Sequence, residues 1–71
     1  MNKAIKGWLK NSLRHERDQA LMRYRKANHR AALKGCTFQD AYLALAEYHS
    51  RCAQYADDAL AQVEDAEDLP W

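Results

Sequence analysis

Three histidines, two cysteines and ten carboxylates are the side chains of this 71-residue sequence best suited to holding a metal or exchanging protons near neutral pH. His49 and Cys52 stand one helical turn apart, but both fall on the apolar seam of the second half of the chain. The positions expected across from them, Arg23 and Ala20, bring no ligand. His15 and His29 lie elsewhere, and Cys36 and Cys52 form no Cys-x-x-Cys pair. The sequence therefore predicts no metal site, no cofactor and no disulfide framework. Asp57-Asp58 and Asp65-Glu67-Asp68 sit on the convex polar arc of a helix, where nothing desolvates one carboxylate relative to another enough to separate an acid from a base. Two helices alone are not expected to enclose a pocket of a few hundred Å³. No catalytic residue and no small-molecule substrate are expected.

The elements that carry these residues are helices. Thirteen alanines, a single proline at position 70 and glycines only at 7 and 35 leave one internal point of punctuation. Gly35 suits the left-handed residue that ends a helix, and Thr37 with Asp40 resembles a capping box that opens the next. The expected fold is all-α: two long antiparallel helices forming a coiled-coil-like helical hairpin, with helix 1 over about 3–34, a turn at 35–37, helix 2 over about 38–67 and a short tail at 68–71. In the second helix Phe38, Tyr42, Leu45, His49, Cys52, Ala56, Ala59, Val63 and Ala66 recur at alternating spacings of four and three, the period of a packing seam. Tyr48 and Tyr55 flank one side of it; Ala46, Ala53 and Leu60 flank the other. In the first helix Leu13, Ala20, Tyr24, Ala27 and Ala31 form the matching stripe, extended by Leu9 and Ile5 and interrupted by Arg17. Gly7 and Asn11-Ser12 are the one place where this helix would break. A short connection puts residue i of the first helix near residue 72 − i of the second.

The formal net charge of +1 conceals a division. Residues 1–34 hold ten Lys/Arg against Glu16 and Asp18, whereas residues 35–71 hold Arg51 against eight Asp/Glu. Lys3, Lys6, Lys10, Arg14 and Arg17 make a basic face on the first helix, which the hairpin register lays beside the acidic end of the second. A phosphate backbone or an acidic protein groove would fit that face, although the acidic half repels phosphate.

A second stripe on the first helix, Trp8, His15, Met22 and His29, repeats every seven residues and is extended by Leu33. With the tyrosines of the second helix it gives more apolar width than one partner helix covers, so a further packing partner is expected. Self-association into a four-helix bundle and a heterologous protein partner both satisfy it. Leu69 and Trp71, around Pro70, either fold back over the open end of the hairpin or act as a terminal docking peptide.

One domain is the upper bound, and a chain this short leaves a marginal core. No signal-peptide apolar region or membrane span is written in it, so a cytoplasmic protein is expected. These readings converge on a non-enzymatic protein-binding module occupying a surface of a larger partner. By analogy of length and architecture alone, the expected setting is a phage or mobile-element accessory protein acting on a host nucleic-acid-processing or defence complex. A basic dimer binding nucleic acid and a structural or chaperone-like subunit are the alternatives.

Overall fold

The computed structural model describes residues 2–67, which form two helices packed side by side: α1, Lys3–Ala32, and α2, Gln39–Asp65. The all-α helical hairpin is as expected. Among the described residues no helix is long and apolar enough to cross a membrane. The backbone is an elongated slab of 58 × 13 × 10 Å.

α1 starts at Asn2, whose side-chain oxygen accepts from the backbone N–H of Ala4 at 2.9 Å and of Ile5 at 3.3 Å, satisfying two of the donors a helix start leaves orphaned. The helix then runs unbroken through Gly7, whose missing side chain would meet nothing, so the glycine serves no close approach there. At the other end Leu33 turns to extended backbone and Gly35 takes φ +79°, the left-handed position for which glycine has no steric cost. The capping box at Thr37 is not what opens α2. Its N-cap is Phe38, which supplies no side-chain hydrogen bond. The side chain of Gln39 instead donates to the carbonyl of Ala31 at 3.1 Å, tying the start of α2 to an orphaned carbonyl of α1.

The pairing is antiparallel and in the expected register. Lys6 Nζ donates to the Ala66 carbonyl at 2.8 Å and Arg30 lies 5.9 Å over the Tyr42 ring, both on the 72 − i line, and Arg17 with Asp57 falls within two residues of it. The face that α2 turns inward differs from the expected one. Its buried residues are Ala46, Ala53, Ala56 and Leu60, whereas Leu45 stays exposed and Phe38 is 66% exposed. The seam thus reads Tyr42, Ala46, His49, Ala53, Ala56, Leu60, Val63. It keeps every second residue of the expected set and replaces 45, 52 and 59 by 46, 53 and 60, a rotation of roughly 50° about the helix axis. Size explains the choice: α1 contributes Ala20, Ala27 and Ala31, and alanines on both sides let the axes approach more closely than Leu45 would allow. On α1 the stripe through Ala20, Ala27 and Ala31 holds, but Ile5 does not extend it and is 55% exposed.

Candidate interaction surface

At about 100° per residue, the buried stripe of each helix has two flanks, and the hairpin brings one flank of α1 against one flank of α2 along each long edge. The first edge carries Arg14 and Arg17 on α1 with Asp57 and Glu64 on α2. Arg17 Nη1 donates to Asp57 Oδ1 at 3.2 Å while its Nε reaches Asp18 Oδ1 at 3.4 Å, and Arg14 lies 3.8 Å from Glu64. The hydrogen bond to the Asp57 carboxylate raises the Arg17 guanidinium above its ordinary value; desolvation opposes the rise and Asp18 adds to it. Arg17, which interrupts the apolar periodicity, therefore crosses the interface to an acid, as Arg14 does. Lys6 is tied to the end of α2 through the Ala66 carbonyl.

The second edge is different. Arg23, Lys26 and Arg30 of α1 line a groove with Tyr42, Leu45 and His49 of α2, floored by Ala27. It continues around the turn into a hollow of about 430 Å³ bounded by Arg30, Lys34, Phe38 and Tyr42 among others. A hollow of a few hundred Å³ was not expected of two helices; the chain has one because the small residues of the turn leave Phe38 and Leu33 standing above it. It is an open surface trough with no carboxylate in its walls; the Cys36 thiol and the Thr37 hydroxyl line its turn end. Among the described residues no three His, Cys, Asp or Glu side chains gather as a metal site.

Beside this groove α2 presents a second heptad-spaced row: Ala41, Leu45, Tyr48, Cys52, Tyr55 and Ala59. Tyr48 and Tyr55 are 61% and 72% exposed, and Cys52 and Ala59 are half-buried. Tyr48 leans edge-on against His49, ring centres 5.3 Å apart, which holds it at the rim of the groove. This chain matches no family model, no curated protein and no solved structure. The surface itself is what bears on function.

The residues singled out in the sequence are distributed unevenly over these edges. Trp8, His15, Met22, His29 and Leu33 are all exposed, but a strict seven-residue repeat drifts about 20° per heptad around a straight helix. Trp8 therefore lies toward the groove flank, while Met22 and His29 have moved to the back of α1, where Met22 borders a separate hollow with Asp18 and Arg25. The five do not form one continuous surface with α2. Of the basic face, Arg14 and Arg17 are engaged with carboxylates and Lys6 with a carbonyl; Lys3 and Lys10 stand on the same half of the hairpin. Leu69 and Trp71 lie outside the described residues.

Sequence reasoning missed Arg23, Lys26 and Arg30 as a group, and missed that Leu45 belongs with Tyr48 and Tyr55. The signal was present: the tyrosines recur every seven residues beside the expected seam. Which flank turns inward was the undecided point.

Proposed function

We propose that the protein is a non-enzymatic protein-binding module that acts by laying one edge of the hairpin on a larger partner. The observation that carries this is the uncovered heptad row on α2, with two tyrosines and a leucine in line over about 15 Å of helix. Aromatic side chains give large contact area for little conformational entropy, and apolar rows of this kind mark association surfaces more often than solvated ones. Arg14 and Arg17 offer less to a nucleic acid, because Glu64 and Asp57 stand beside them and would meet the phosphates.

The test compares tagged wild-type protein with Tyr48→Lys/Tyr55→Lys in affinity purification from the native host, with circular dichroism to verify that both hairpins are equally helical. A stoichiometric partner that co-purifies with the wild type and is lost with the variant supports the reading. A partner retained in full by the variant, or none at all, overturns it.

A further inference from the structure

Folding redistributes the charge that the sequence divides at residue 34. The half of the hairpin nearest the turn, residues 20–52, holds six Lys/Arg against Asp40 and Glu47, a net +4. The open half, residues 2–19 with 53–67, holds five Lys/Arg against seven Asp/Glu, a net −2. The ten cations of the first arm thus separate into a group compensated by the acidic end of α2 and a group that is not. Arg23, Lys26 and Arg30 belong to the second group. Among the described residues none of the three makes an ion pair, and Arg30 is engaged only with the Tyr42 ring and, through its carbonyl, with Leu33. All three stand on the α1 wall of the groove whose α2 wall is Tyr42, Leu45 and His49, with Tyr48 against the His49 ring beside it.

Resting on the reading of the hairpin as a protein-binding module, we propose that this groove takes an acidic amphipathic segment of a partner protein, its apolar side against Leu45 and Tyr48 and its carboxylates against Arg23, Lys26 and Arg30. One wall cationic and the other aromatic and apolar, with the His49 imidazole in it and no carboxylate, is the complement of a segment with one acidic and one apolar face. Along α2 the trough runs from the turn at Gly35 to His49, with about 15 Å of helix from Gln39 onward, which fits roughly three turns of a docked helix.

A second copy of the chain fits this groove less well. Asp57 and Glu64 lie on the opposite edge of α2, and Glu16 is the one carboxylate of α1 on the groove side. Stacking two copies groove-to-groove would set the three cations against either their own counterparts or Ile5, Trp8 and Tyr55, burying charge without sufficient carboxylates. A nucleic acid would match the cations but leave Leu33 and Leu45 against phosphate and sugar.

The experiment uses the full chain and a fluorescein-labelled synthetic helix of about 21 residues with Leu at heptad positions a and d and Glu at e and g, alongside the same peptide with Gln for every Glu. At about 50 mM salt the Glu peptide should bind at least tenfold more tightly than the Gln peptide. That preference should fall to about twofold or less in Arg23→Glu/Lys26→Glu/Arg30→Glu and be reduced in the milder Arg23→Gln/Lys26→Gln, which leaves the Arg30–Tyr42 contact in place. It should survive in Arg14→Gln/Arg17→Gln, on the other edge. Equal binding of both peptides overturns the acidic segment while leaving the apolar row as a docking surface, so the two readings fail separately. Binding of neither overturns the inference, as does a duplex oligonucleotide that displaces the Glu peptide at equal concentration. Reversible dimerisation in sedimentation that Tyr48→Lys abolishes and that excludes the peptide would assign the groove to a second copy instead.

Discussion

The two long edges of the hairpin are made by the same pair of helices in the same register, yet one is closed by charge and the other is open. On the first, Arg14 and Arg17 reach Glu64 and Asp57 across the interface. On the second, Arg23, Lys26 and Arg30 face Leu45 and Tyr42 with no carboxylate among the groove residues. A two-helix protein has little interior, so its edges carry most of its chemistry, and here the cross-helix ion pairs and the uncovered apolar row lie on different ones. The closed edge adds exposed ion pairs to an antiparallel arrangement that the short connection already imposes. The open edge is the one we propose meets a partner.

The largest expected effect tests the interior that both edges share. Leu60, 93% buried and the largest side chain in the core, should lose roughly 2–4 kcal/mol of stability as Leu60→Ala, read as a shift of the urea midpoint. In a core of this size that would unfold much of the population. Next, Ala27→Leu inserts three carbons where Ala27 is only 3% exposed. It should cost about 1–3 kcal/mol by forcing the axes apart, and it would disturb the floor of the groove as well. Gly35→Ala should cost about 1 kcal/mol from the left-handed backbone alone, since an added methyl would meet no atom within 4 Å. A thermal melt is sufficient to see it.

The smallest effects divide the edges directly. Arg17→Gln should destabilise slightly at low salt and by less as salt is raised, because the pair with Asp57 is solvent-exposed. Arg23→Gln should leave stability unchanged at any salt concentration. Equal destabilisation by the two would erase the distinction between the edges. The raised Arg17 value gives no pH signature in the neutral range: a cation whose folded value lies above its unfolded one contributes fully at every pH below the unfolded value, and loses that contribution only in strong alkali. Salt, not pH, is the variable that reports this pair.

Much of the architecture was legible in the sequence because it rests on local rules. Gly35 marks the turn through its backbone freedom, the alanine-rich arms favour helix, and the position of the turn sets the register, which the Lys6–Ala66 and Arg30–Tyr42 contacts follow. The start of α2 was misread because Thr37-x-x-Asp40 has the pattern of a cap, whereas Gln39 reaches back to Ala31, a contact that exists only once the helices are docked. The site was less legible than the fold. Two adjacent seams are written on α2, one through 45, 52 and 59 and the other through 46, 53 and 60, and both share 42, 49, 56 and 63. Apolar periodicity ranks them nearly equal.

Residue order alone determined that there would be two helices, where the chain reverses, and that cations and carboxylates would lie alongside one another; each follows from glycine, alanine content and connection length. The docked pair decided what faces outward. Close approach of α1's alanines selected Ala46 and Ala53 over Leu45 and Cys52, which turned the tyrosine row to solvent and set it beside Arg23, Lys26 and Arg30. That selection is a matter of steric fit between two surfaces, and neither helix contains it by itself.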